Sequence, residues 1–379
     1  MNSWLVKGGE IVSTDNVHHA DLIIGGDMIE AIEAQAEPAL KQDRIYDARD
    51  CLVLPGIIDI HGDAFERIVQ PRPGLMFPMD VALKEADRQM MTNGITTAYH
   101  GLAISWEPGL RSMQTARDFM STLTSLGSDL AVDTKVNMRW ETFAFDYCDE
   151  VIGWLKTDPA HILSFNDHTT TNLGHKIQSS KIGRLADRCG LTREEAVAML
   201  HEVWERREEV PAAIDRMASE GRALGTKMFA HDEDAIEVRR QNRQMGISVS
   251  EFPMTEDTAD EARDHGEAII LGSPNVLRGG SQNNALDATS AIKQGRCTCL
   301  ASDYYYPAMM FAAFKLVDEQ AMSLPEAWKL ISLNAAKAAG LDDRGALEVG
   351  KRADILVVDK SSRRIKAVFV AGQKVLEHE

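Results

Sequence analysis

The chain has 379 residues, 44% of them hydrophobic and 26% charged, with a formal net charge of −17. That length buries a large core and suits one big domain with a smaller companion. The acidity excludes nucleic acid as a partner, because such affinity comes from neutralising phosphates, and no apolar run approaches the ~20 residues that span a bilayer. An anionic small substrate stays open, since bound metal ions and a few arginines can dominate the field inside a pocket. Residues 1–7 lack the basic start and apolar stretch of a signal peptide, which makes the cytoplasm the expected compartment. Cys51, Cys148, Cys189, Cys297 and Cys299 are odd in number and lack zinc-ribbon spacing, so they read as small buried hydrophobes. Composition leaves a homo-oligomer open.

Residues 5–50 read as a small β unit. Leu5–Val12 and Ala20–Gly26 are short apolar runs punctuated by glycine pairs, a hairpin pattern. Ala353–Asp359 and Lys366–Gly372, around the turn Ser361–Arg364, have the same texture near the other end. Neither end has apolar surface enough for its own core. Residues 1–53 and 346–379 are therefore expected to pair into one small β-sandwich, with the intervening 54–345 as a separate body.

That body opens on Leu52–Asp63, a nearly continuous apolar run that reads as one buried strand. It ends in His61, Gly62 and Asp63, poor strand material but good cation ligands. Strand-like runs then alternate with helical stretches, the βαβ pattern of a parallel sheet. They are Gly94–His100, Lys135–Glu141, His161–His168, Thr226–Asp232, Ile247–Phe252, Ala268–Gly272 and Thr298–Asp303. Eight runs fit a closed (β/α)8 barrel of the TIM type. Residues 170–225 are long, charged and mostly helical, with room to hide a further element. Within them Thr192 and Glu195 form the pattern of a capping box.

Five of the eight strands end in ligand-type side chains: His61 with Asp63, Glu141, His168, His231 and Asp303. Each has a bland alternative taken singly. A strand-end histidine is often a satisfied core group, Asp303 could cap a helix, and Glu141 could pair with Arg139. Together they would converge on one water-poor mouth, where burying unpaired charge is expensive and divalent cations would resolve the conflict. The donor set suits zinc first, with iron or manganese as alternatives. It suffices for one or two ions, with Glu141 placed to bridge two. A metal-activated hydroxide would then attack, and Asp303 would shuttle the proton to a leaving group. Arg278, Gly279 and Gly280 could grip phosphate as a fork and a backbone nest, or form a plain turn. Arg72, between two prolines, could assist or merely stiffen a surface loop. His100, His175, Lys176 and Tyr304 read as structural neighbours of the pocket.

The opening Leu54–His61, the later strand-end histidines, the final-strand aspartate and the closing Gly350–Val358 resemble the amidohydrolase superfamily of metal-dependent hydrolases. Members usually carry His-x-His on the first strand, where this chain has His61-Gly62-Asp63. The PhnM-type diphosphatase branch carries His-x-Asp there. Pro71-Arg72-Pro73, Glu251-Phe252-Pro253, Ser273–Ser281 and Ser302–Tyr305 are also similar to that branch. After the fourth-strand histidine the branch has a Ser-Pro-Gly-Gln-like stretch, and this chain has Thr169-Thr170-Thr171-Asn172. The resemblance implies hydrolysis of a phosphoanhydride in a ribosyl methylphosphonate triphosphate. The alternative keeps the fold and metal site but cleaves a non-peptide C–N bond, releasing ammonia. A retired, non-catalytic barrel would have lost several ligands, and this chain retains a full set.

Overall fold

The computed structural model describes residues 3–36, 44–170, 179–280 and 286–378. From the N-terminus come β1 (Ser3–Val12), β2 (Val17–Gly25), β3 (Met28–Glu33), β4 (Arg44–Asp47) and β5 (Cys51–Pro55). There follow β6 (Ile57–Gly62), β7 (Ile95–Ile104), β8 (Asp133–Glu141), β9 (Ile162–Asn166), β10 (Lys227–His231), β11 (Val249–Glu251), β12 (Ala268–Gly272) and β13 (Cys299–Ala301). The last strands are β14 (Ile355–Asp359), β15 (Ile365–Val370) and β16 (Gln373–Glu377).

Strands β6 to β13 form one eight-stranded sheet in sequence order, every neighbouring pair parallel. Their apolar content is high because helices cover the outer face and packed side chains fill the inner one. β6 and β13 close the barrel through a parallel bridge between Gly62 and Asp303. At that seam Asp303 N–H donates to His61 O at 2.9 Å and Asp63 N–H donates to Asp303 O at 2.8 Å. Between β9 and β10 the described residues form the helices Ser179–Cys189, Arg193–Glu205 and Val210–Leu224 and no strand, so the count of eight stands. The capping box of Thr192 and Glu195 is present.

The other sheet joins both ends of the chain in the order β16-β15-β14-β5-β1-β2-β3, with β4 alongside β1. β15 and β1 are three places apart in that order, about 14 Å on a flat sheet. Yet the rings of Trp4 and Phe369 lie edge-on with centroids 5.5 Å apart. The sheet must curl over a shared core, which Val6, Leu22, Val53, Ile355 and Phe369 help fill. This is the small β body expected from the two ends.

The expected single strand Leu52–Asp63 is two strands in two different sheets. Cys51–Pro55 pairs antiparallel with β14, and Ile57–Gly62 pairs with β7. Gly56 makes the switch, for a Cβ there would lie 2.1 Å from Thr96 Oγ1. The dipeptide Pro55-Gly56 in the middle of the run marks the break. At the end where barrel strands begin, Asp133 accepts from Arg344 Nη1 at 2.5 Å and Arg352 Nη1 at 2.8 Å, fastening the barrel to the segment entering β14. Among the described residues no helix is long and apolar enough to cross a membrane.

Candidate metal centre

The barrel delivers its polar residues to the end where the strands finish. β6 brings His61, which is 1% exposed, and its Nδ1 lies 2.8 Å from Glu251 Oε1 at the end of β11. Glu251 is fully buried and also accepts from Asn137 Nδ2 at 3.0 Å and Ser164 Oγ at 2.7 Å. Burial alone would raise its carboxyl, but the charge and hydrogen bond of His61 outweigh it and hold it at about 2. An ionised Glu251 requires the N–H form at His61 Nδ1, which leaves Nε2 as a donor to a cation.

Three sets of side chains each bring their donor atoms within 4.8 Å of one another: His61, Asp63 and Asp303; His61, His231 and Glu251; His168, His231 and Asp232. The His61 and His231 rings have centroids 5.4 Å apart, and those of His168 and His231 5.7 Å apart. Five of the six residues singled out from strand ends therefore share one mouth. Glu141 stands outside these sets. Its Oε2 lies 3.0 Å from His168 Nδ1, and Oε1 accepts from Thr169 N at 3.0 Å and Thr169 Oγ1 at 2.9 Å. It orients His168 rather than pairing with Arg139, whose Nη1 donates to Asp63 Oδ2 at 3.0 Å.

Glu251, Asp232, Arg139 and Asp59 are site residues the strand-end reading did not nominate. Asp232 and Glu251 were visible as carboxylates at strand ends, but nothing local distinguished them from solvated groups. Asp59 accepts from Ser302 Oγ at 2.5 Å, Ser302 N at 3.0 Å and His61 N at 3.3 Å, holding the seam that carries His61 and Asp303. Gly62 belongs to the same seam, since a Cβ there would lie 2.5 Å from Asp59 Oδ2. Backbone strain gathers here too. Asp232, Phe252 and Asp303 take positive φ of 56°, 55° and 54° just past the ends of β10, β11 and β13. Such values are uncommon without glycine and cluster at functional sites.

The residues fit a divalent cation. His231 Nδ1 is buried without a hydrogen-bond partner, 3.3 Å from Asp232 Oδ1. Among the described residues, Arg139 is the guanidinium that pairs directly with this cluster, through Asp63, and Arg111 is taken up by Glu66, so Asp63, Asp232, Glu251 and Asp303 leave the pocket short of positive charge. Burial, and then the charge of Asp63, push Asp303 up to about 7.

The remaining expectations fall at the rim or beyond it. Arg278 is exposed at the end of the helix Ser273–Arg278 and donates through Nη1 to Tyr304 Oη at 3.0 Å. Gly279 and Gly280 follow with φ of 72° and 94°, a turn that glycine serves, and Lys315 Nζ caps carbonyls of that helix at Val276 and Leu277. Arg72 is exposed in the turn Arg72–Leu75. His100 packs edge-on to Phe65 and Phe119 in the core, with centroids at 5.1 and 5.5 Å. His175, Lys176, Ser281 and the Thr171-Asn172 pair lie outside the described residues.

Comparison with known proteins agrees with this geometry. The amidohydrolase family profile matches residues 223–375. A protein of Escherichia coli (strain K12), alpha-D-ribose 1-methylphosphonate 5-triphosphate diphosphatase, is 27% identical over 360 residues, covering 91% of this chain and 93% of that one. Among solved structures, a triazine hydrolase variant superposes with a TM-score of 0.68 at 15% identity, covering 100% of this chain and 95% of the other. Dihydropyrimidinase from Brevibacillus agri NCHU1002 gives 0.62 at 13%, covering 99% and 95%. Those two likenesses speak for the fold alone. The chain is a hydrolase whose residues 223–375 match the amidohydrolase family, and along nearly its whole length it is similar to a diphosphatase of the PhnM type.

Proposed function

We propose that this chain is a divalent-metal-dependent diphosphatase, hydrolysing a phosphoanhydride in a small anionic substrate such as alpha-D-ribose 1-methylphosphonate 5-triphosphate. The observation that carries the reading is the likeness to the Escherichia coli diphosphatase along nearly the whole of both chains. His61, His231 and His168, with Asp63, Asp232 and Asp303, would hold one or two ions, and zinc, iron and manganese all suit this donor set. A bound ion of this kind lowers the pKa of water and neutralises developing charge on phosphoryl oxygen.

The protein's own residues supply the rest. Glu251 keeps His61 in one tautomer and one orientation. Asp303, half-buried and anchored by its backbone to His61, accepts the proton from the attacking water and passes it to the leaving oxygen. Arg278 stands at the rim beside Tyr304, the residue after Asp303, and Arg67 lies over the same ring at 5.2 Å. Phosphates not engaged at the centre would meet these cations, with Arg72 next along the loops.

The test incubates metal-loaded enzyme with alpha-D-ribose 1-methylphosphonate 5-triphosphate and follows pyrophosphate release. Turnover with pyrophosphate as product is expected. No turnover there, with ammonia released from an amide or amidine, would move the chain to C–N hydrolysis.

A further inference from the structure

A cleft beside the metal centre is lined by Ser105, Glu107, Arg111, Arg139, Glu141 and His168. Most of its charges are answered. Arg188 grips both oxygens of Glu107 at 2.8 Å, and Glu66 takes both arms of Arg111 at 2.9 and 2.8 Å. Glu141 is engaged by His168 and Thr169.

Arg139 differs. It lies two residues before Glu141 on β8, so the two side chains leave the strand on the same side. The side chain is 6% exposed, and Nη1 donates to Asp63. Its Nε is buried with no hydrogen-bond partner. An unpaired N–H on a buried cation is costly, and native proteins seldom leave one without a use. The neighbouring strand makes room for it. A Cβ at Gly101 would lie 3.2 Å from Arg139 Cδ and 3.4 Å from His61 Nε2. Glycine at that position thus leaves space for both the Arg139 side chain and the His61 ring beside β7.

We propose that Arg139 receives the phosphoryl oxygens of the substrate beside the metal centre, and so selects an anionic substrate over a neutral one. The proposal rests on the phosphoanhydride reading. A guanidinium can hold Asp63 with one nitrogen and present the rest of its fork to phosphate. The simpler role, a counter-ion for Asp63 alone, makes a different prediction.

The probe is inorganic pyrophosphate, titrated calorimetrically into metal-loaded wild type, Arg139→Lys and Arg139→Gln, with metal content and thermal midpoint measured in parallel. Arg139→Gln should bind pyrophosphate roughly 10- to 100-fold more weakly at unchanged metal content, the range for a charge-assisted contact. Arg139→Lys should recover part of the loss, because the charge returns without the fork. Pyrophosphate binding equal to wild type in Arg139→Gln would overturn the assignment and leave the diphosphatase reading standing. So would a loss that merely tracks lost metal or lost stability. Should Arg139→Gln fail to fold, Arg139→Met takes its place, and wild-type pyrophosphate binding by that uncharged variant would overturn it equally. A wild type that ignores pyrophosphate while releasing ammonia from an amide would sink both readings together.

Discussion

The two ends of the barrel both gather carboxylates, and they answer them differently. Where the strands begin, Asp133 meets Arg344 and Arg352, with Lys135 Nζ at 3.4 Å. Where the strands finish, Asp63, Asp232, Glu251 and Asp303 crowd three imidazoles and a single guanidinium. The first cluster is a completed ion-pair network that ties two sheets together. The second is an unbalanced one, in which the buried His231 Nδ1 has no hydrogen bond of good geometry and meets only Asp232 Oδ1 at 3.3 Å. Buried charge alone therefore does not mark chemistry here; the shortfall of positive charge does.

The largest effect should come from the unbalanced end. Asp303→Asn keeps the shape and loses the proton acceptor, so kcat should fall on the order of 10²–10⁴ with metal content largely kept. Steady-state kinetics beside metal analysis would check this, and near-normal turnover would remove Asp303 from the mechanism. At the balanced end, Asp133→Asn takes one carboxylate from Arg344 and Arg352, which keep Asp343 and Asp354, and should cost about 2 kcal/mol of stability. Urea unfolding measures that loss, while kcat per folded molecule should not change. A variant that lost turnover but not stability would contradict the division between the ends.

A smaller effect is expected from Glu251→Gln, which frees His61 to turn. Metal affinity should drop roughly 10- to 100-fold, as when a metal ligand's hydrogen-bond partner is removed. Competition against a chromophoric chelator would show it, and unchanged affinity would make Glu251 a bystander. The smallest concerns Tyr99, whose hydroxyl is buried without a partner near the balanced end. Tyr99→Phe removes an unsatisfied group and should leave stability unchanged or raise it by about 1 kcal/mol. A loss beyond that in thermal unfolding would mean the hydroxyl has a partner of consequence.

The barrel was legible because parallel strands buried on both faces tend to be apolar throughout, a mark plain in the run Ala268–Leu271, and because the weaker runs recur between helical stretches. Their polar ends were legible for the same reason, since His61, His168, His231 and Asp303 interrupt apolar text. Partner choice was not. His61 and Glu251 are separated by 190 residues, and no local pattern joins an imidazole to one carboxylate rather than another. Glu141 shows the converse. Its position matches a ligand's, but both oxygens are engaged by His168 and Thr169, contacts that exist only once β8 lies beside the segment after β9. At Gly56 the strong apolar residues on both sides outweighed the Pro55-Gly56 turn signal, so one strand was read where there are two.

That change of sheets also sets an order of events in synthesis. β5 takes β1 on one side and β14 on the other. Its first neighbour is made before it, and its second follows only after the entire barrel. A ribosome adding roughly 5–20 residues per second needs about 15–60 s for the ~300 residues between them. For that interval Leu52, Val53 and Leu54 have one bare edge, a ready template for pairing with another nascent chain. Chains interrupted before residue 355 should thus aggregate rather than yield a shorter soluble barrel, and slower growth or a holding chaperone should raise the yield of the whole protein.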